Sequence, residues 1–99
     1  MKKEKQKFLS LDEFGSAIGL NSLDKEVIHQ KNRIIDILKE TRLKLKLSQV
    51  DLAKRLTTKQ PAIARMEAGH VGDVSFDFLV RVALAMGLGL ELLPGKKVA

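Results

Sequence analysis

The stretch Leu47–Gly69, LSQVDLAKRLTTKQPAIARMEAG, constrains the fold of this chain more than any other part of it. Ser48 stands where a helix wants its N-cap: its hydroxyl can accept an orphan backbone N–H, and Asp51 adds negative charge in the first turn. Val50, Leu52, Ala53 and Leu56 supply the apolar positions of a short amphipathic helix, with Asp51 and Arg55 as an i,i+4 pair on its solvent side. The pattern breaks at Thr57-Thr58-Lys59. Thr58 is placed to cap the next helix and Gln60-Pro61 to open it, because the N–H that proline lacks is not needed in a first turn. The second helix is expected from about Gln60 to Ala68. Ala62, Ile63 and Met66 form its inward face, Gln60, Pro61, Ala64 and Arg65 point outward, and Gly69 stops it.

Two short helices joined by a tight turn, the second with a polar and basic outer face, form the layout of a helix-turn-helix, whose second helix enters the major groove of DNA. Spacing alone also fits an ordinary helical hairpin whose Gln60 and Arg65 are merely solvated. Charge favours the first reading. Residues 31–59 hold nine basic groups (Lys31, Arg33, Lys39, Arg42, Lys44, Lys46, Lys54, Arg55, Lys59) against Asp36, Glu40 and Asp51, which equals the net +6 of the whole chain. A basic region beside such a motif is the footprint of phosphate contact, although a solvated lysine-rich face has the same composition.

In Leu47, Ser48, Gln49, Leu52, Ala53, Leu56, Gln60, Ile63, Arg65, Met66, Glu67 and Gly69 the chain resembles the Cro/CI-type (XRE) helix-turn-helix family. The resemblance covers roughly Ile34 to Leu93 and is closest to the HigA-like antitoxins of type II toxin–antitoxin systems. It implies a DNA-contacting set of Gln49, Thr58, Lys59, Gln60, Pro61, Ala62 and Arg65. In that set Gln49 and Lys59 touch phosphate, Gln60 reads base edges, Pro61 and Ala62 meet a thymine methyl, and Arg65 reaches a base or the backbone. It also implies a structural ion pair between Arg42 and Glu67. Thr57 and Lys46 depart from the pattern, since both stand where the family commonly has glycine. A β-branched residue at a positive-φ turn position carries strain, which leaves room for a differently shaped turn at Thr57.

At 99 residues the chain is expected to form one small domain plus a tail. It has no cysteine, tryptophan or tyrosine, and its aromatics are Phe8, Phe14, Phe76 and Phe78. That disfavours disulfides, thiolate metal sites and a base-stacking single-strand binder. No apolar run approaches a membrane span, and no long apolar segment follows the basic MKKEKQKF to make a secretory signal. A cytoplasmic location, bacterial or phage, follows. His29 and His70 have no partners at metal-ligand spacing, so neither a metal nor a cofactor is expected, and nothing marks a catalytic nucleophile.

Outside the motif, residues 1–9 read as charged and disordered. Ser10-Leu11-Asp12-Glu13 has capping-box spacing for a short helix carrying Leu11, Phe14 and Ile18. A long helix is expected from about Leu23 to Leu45, with Val27, Ile34, Ile35, Leu38 and Leu45 on one face and Ile28 and Ile37 widening it. Ser75 caps a further helix ending at Gly87, on which Phe76, Leu79, Val80, Val82, Ala83 and Met86 are apolar nearly all round. Leu88, Leu90 and Leu92 then alternate along the chain before Pro94-Gly95, which reads as a short strand. Its expected partner is the same strand of a second copy, making Leu88, Leu90 and Leu92 a dimer interface.

The expected architecture is therefore all-α: a compact, lambda-repressor-like helix-turn-helix domain at 32–95 with a short C-terminal β-strand, an N-terminal extension at 1–31 and a tail at 96–99. The expected activity is sequence-specific binding of a near-palindromic double-stranded operator by a homodimer, not catalysis. The HigA resemblance adds a small basic toxin of the RelE fold as partner, held by the extension, and repression of the pair's own operon. The alternatives are a free-standing or phage-type regulator without a toxin, and a protein-binding adaptor that has lost DNA contact.

Overall fold

The computed structural model describes residues 22–95. The short helix expected around Leu11, Phe14 and Ile18, the charged segment before it and the tail at 96–99 lie outside the described residues. The chain divides into two compact units, Met1–Arg33 and Ile34–Ala99. Helix α1 (Ser22–Lys44) runs through the division. In the first unit, Asp24 lies in its first turn and Gln30 donates to Glu26 one turn back at 2.9 Å. Leu23, Val27 and Ile28 are exposed there.

The second unit holds the rest of α1 together with α2 (Gln49–Leu56), α3 (Gln60–Glu67), a single 3-10 turn at Val71–Asp73 and α4 (Phe76–Ala85). Eight-residue helices do not hold alone in water, so α2 and α3 depend on caps and on burial. Ser48 and Asp51 form a reciprocal capping box, each side chain accepting from the other's backbone N–H at 2.9 Å. The Ser48 backbone N–H and then its hydroxyl hold the Asp51 carboxyl below the ordinary aspartate range. Ser75 caps α4 by accepting from the Phe78 N–H at 3.1 Å.

The core follows helical spacing. Ile35 and Leu38 of α1, Leu52, Ala53 and Leu56 of α2, Ile63 and Met66 of α3, and Leu79, Val82 and Ala83 of α4 are buried, joined by Val74 and Met86. Helix α2 packs on both α3 and α4. Several expected core positions are exposed instead: Val27, Ile28, Ile37, Leu45, Val50 and Phe76. The apolar stripes of α1, α2 and α4 are wider than the faces their neighbours cover.

All four described helices end the same way. Paired backbone bonds, Lys46→Leu43 with Leu47→Arg42, Thr57→Lys54 with Thr58→Ala53, Gly69→Met66 with His70→Arg65, and Gly87→Leu84 with Leu88→Ala83, are the two bonds of a Schellman motif. The pivots Lys46, Thr57, Gly69 and Gly87 have φ of 60°, 58°, 87° and 83°. Thr57 therefore takes the left-handed conformation itself, and the turn is not reshaped to avoid it.

The expected strand is not formed. Leu88 is spent on the end of α4, where its N–H bonds Ala83 and its side chain packs against the core. The following residues find no ladder among the described residues. Leu90, Leu92 and Leu93 are 42%, 102% and 75% exposed. Alternation alone makes no strand without a second edge to pair with. A membrane-crossing helix is likewise not found among the described residues.

An L-residue in the left-handed region costs ~1–2 kcal/mol, part of which glycine returns through its freer unfolded chain. Thr57→Gly is therefore expected to stabilise the protein by ~0.5–1 kcal/mol, and Gly87→Ala to destabilise it by about as much. Urea unfolding of both variants against the parent checks the assignment. A Thr57→Gly variant less stable than the parent contradicts it.

Candidate nucleic-acid interface

Helix α3 starts at Gln60 as expected, but its N-cap lies one residue later than the sequence suggests. Thr58 completes the end of α2 by donating its N–H to Ala53, so it does not cap α3. Lys59 is the N-cap, with extended backbone and no side-chain cap bond, and Gln60-Pro61 open the helix behind it. Pro61, Arg65 and Lys59 are exposed, while Gln49, Thr58, Gln60 and Ala62 are half-buried.

Beneath this surface runs a chain of hydrogen bonds. Arg42 Nε donates to Glu67 Oε2 at 2.7 Å and Arg42 Nη2 to Glu67 Oε1 at 3.0 Å, while Nη1 donates to the Leu47 carbonyl at 2.7 Å. The two charged side chains are 10% and 4% exposed, so the pair is shielded from water. Glu67 Oε1 also accepts from Gln49 Nε2 at 3.0 Å, and Gln49 Oε1 accepts from Gln60 Nε2 at 2.7 Å. The series ties α1 to α3, α3 to the first residue of α2, and that residue to the first residue of α3. Burial pushes the Glu67 carboxyl up. The bonds from Arg42 and Gln49, with the Arg42 and Lys39 charges, outweigh that and hold it below the ordinary glutamate range.

Two other arginines, both exposed, are bonded to backbone carbonyls of another helix. Arg55 Nη1 of α2 donates to the Ala85 carbonyl at the end of α4 (3.1 Å), and Arg81 Nη2 of α4 donates to the Leu56 carbonyl at the end of α2 (3.0 Å). Each helix caps the other's negative end. Arg55 is thus bonded across the domain, while its charge also helps lower the Asp51 carboxyl along its own helix. The sequence signal for this exchange is Arg81, a lone charge inside the apolar run FLVRVALAMG. Lys44, Lys46, Lys54, Lys59 and Arg65 remain exposed cations of the motif and its flanks.

The bond from Gln49 to Gln60 is the element that residue-by-residue reading missed. The residues stand eleven apart, and only the turn geometry brings them together. Elsewhere in the unit, a recess lined by Ala62, Arg65, Asp73, Val74, Ser75 and Phe78 flanks α3. An apolar groove lies between α1 and the segment after α4, lined by Ile34, Ile37, Leu38, Ala83, Leu88 and Leu90 among others. No group of three His, Cys, Asp or Glu side chains suited to a metal occurs among the described residues.

Comparison with known proteins agrees with this geometry. The family described as "Helix-turn-helix domain" matches residues 18–93. No curated protein matches the chain. A solved structure described as FeII HppE in complex with substrate is similar, with a TM-score of 0.50 and 27% identity over 57% of this chain. The match spans only 32% of that chain, about a third of its length, and the iron and substrate are properties of that protein.

Removing one partner of a buried, hydrogen-bonded ion pair leaves the other charge uncompensated, at ~3–5 kcal/mol. Arg42→Ala is expected to lose that much stability. Because Glu67 is held below its ordinary range, its stabilising contribution is full above that range and is lost as the pH falls through the lowered value. Urea unfolding at neutral and acidic pH should therefore show an acid-side loss that is smaller in Arg42→Ala than in the parent, the share carried by Asp51 remaining in both.

Proposed function

The chain belongs to the helix-turn-helix domain family, and from that membership we propose that it binds double-stranded DNA sequence-specifically, as a transcription regulator of the Cro/CI type and not as an enzyme. The observation that carries this reading is the support beneath α3. A half-buried glutamine at the start of an exposed helix is held by a bonded chain running back to a buried arginine, and Lys59, Pro61 and Arg65 are exposed around it. In this reading Gln60 contacts base edges, Pro61 and Ala62 a thymine methyl, and Arg65 a base or the backbone. Gln49, Thr58 and Lys59 face phosphate. No cofactor takes part, and the protein works in the cytoplasm.

The two kinds of contact separate experimentally. Gln60→Ala should cost ~1–3 kcal/mol on the selected site and relax its sequence preference. Lys59→Ala should weaken selected and random duplexes about equally and flatten the salt dependence by roughly one phosphate. A Gln60→Ala variant that selects the same sequence as the parent removes Gln60 from base reading.

The regulator is further proposed to act as a homodimer through the segment after α4. Leu90 and Leu92 are exposed there while Leu88 serves the core, and the apolar groove adjoins them. Such a dimer reads two half-sites ~34 Å apart, or a multiple of that. Leu90→Arg should yield monomers by light scattering and sharply weaker operator binding. A dimer that survives it lies elsewhere.

The finer reading is an antitoxin of the HigA type that neutralises a small basic RelE-fold toxin and represses its own operon. It is favoured by Leu23, Val27 and Ile28, which are exposed on the first turns of α1 and give a partner an apolar face. Co-expression of the tagged chain with its adjacent reading frames tests this. A small basic companion, toxic on its own and released by Val27→Asp, supports it. A clean homodimer favours the free-standing regulator.

A further inference from the structure

We propose that the Glu67 carboxylate fixes which end of the Gln60 side-chain amide faces outward, and so sets the order of donor and acceptor that this residue offers to a base pair. The inference rests on the DNA-reading role of Gln60 proposed above.

The argument is one of hydrogen-bond polarity. An ionised carboxylate only accepts, and a guanidinium only donates. Arg42 holds both Glu67 oxygens and sends its remaining branch to the Leu47 carbonyl, so the carboxylate stays where it is. The Gln49 atom at 3.0 Å from Glu67 Oε1 must then be the amide nitrogen. That turns the Gln49 carbonyl toward Gln60, and the Gln60 atom at 2.7 Å from it must again be nitrogen. Turning over Gln60 alone would set two carbonyl oxygens against each other. Turning over Gln49 alone would set its carbonyl against a carboxylate and its NH2 against another NH2. Both leave shielded polar groups unpaired. One acceptor-only group therefore propagates a single direction through two amides.

Gln60 is left with its carbonyl oxygen and one N–H in fixed positions. The major-groove edge of an A·T pair runs acceptor, donor, acceptor, methyl, and T·A presents the same groups in reverse. An amide fixed in one direction matches one order; an amide free to turn over matches both. Glu67 is thus a positioning residue for specificity. It touches no base, and its effect is confined to the pair that Gln60 faces.

The test compares Glu67→Gln with the parent. The introduced amide can donate or accept toward Gln49, so the direction is no longer imposed. Two readouts are needed. In the free protein, one Gln60 side-chain proton should be shifted and slowly exchanging by NMR in the parent, and should lose both properties in the variant. On DNA, the parent's preference between the selected duplex and the same duplex with the Gln60-facing pair reversed should fall about tenfold in the variant. The ratio is taken within each protein, so uniform losses of affinity cancel. A folded Glu67→Gln protein with an unchanged Gln60 signal, or with an unchanged ratio, overturns the proposal. If Glu67→Gln does not fold, Gln49→Leu keeps the Arg42–Glu67 bond, cuts the series, and carries the same two expectations. If the parent shows no sequence preference on DNA, the function proposed above fails, and the Gln60 signal alone decides whether Glu67 positions the amide.

Discussion

The bonded pair of Arg42 and Glu67 is the interaction on which the rest of this domain depends. A guanidinium presents its donors in a rigid planar fork, and here every branch is used across helices: two on Glu67 of α3 and one on the carbonyl of Leu47, the residue leading into α2. Packing alone lets eight-residue helices slide or rotate by a fraction of a turn. A buried fork does not, because a small displacement leaves a charge unpaired away from water. Desolvating two charges is expensive, and an apolar replacement often matches such a pair in stability. What an apolar replacement lacks is direction, and the Gln49 and Gln60 amides take theirs from this carboxylate.

The helix ends complement that tether. Each of the four closes through the same pair of backbone bonds, and two of them do so with Lys46 and Thr57 in a conformation that glycine adopts more readily. The left-handed geometry is therefore imposed by the residues around it. At Thr57 the following residue must give its N–H to Ala53, and the start of α3 must place Ile63 and Met66 in the core. At Lys46 the following Leu47 must pack against the core and offer its carbonyl to Arg42. Local strain at two turns is outweighed by the burial and bonding that those turns make possible.

Most of the helical fold was legible in the sequence because it rests on local rules. Ser48 and Ser75 mark their helices by capping chemistry, and Leu52, Leu56, Ile63, Met66, Leu79 and Val82 by spacing. What was not legible depends on contacts between distant residues. Periodicity cannot say that Val50, Phe76 and Ile37 are left exposed. It cannot say that Leu88 ends a helix instead of starting a strand. Thr58 is a good cap by residue type, but it completes the end of the helix before it, and the N-cap of α3 is Lys59. The exchange of Arg55 and Arg81 between α2 and α4 follows from a meeting of the two C-terminal ends, for which the sequence offers only the lone charge of Arg81.

The same distinction separates the charges of the motif by what they can do. By sequence, residues 31–59 hold an undivided block of positive charge. In the structure, Arg42 is buried and Arg55 is bonded to a backbone carbonyl, while Lys44, Lys46, Lys54 and Lys59 are exposed. Lysine is a compact, rotatable point charge, suited to a phosphate at any base sequence; arginine's fork is suited to fixing geometry. Arg42 and Arg55 are thus spent on bonds between helices, and these lysines are left to the solvent. A surface built this way would draw a polyanion with exposed cations, whose field does not distinguish one sequence from another. In the proposed reading discrimination falls to outward side chains of α3, and among them Gln60 is the one that the bonded series from Arg42 reaches.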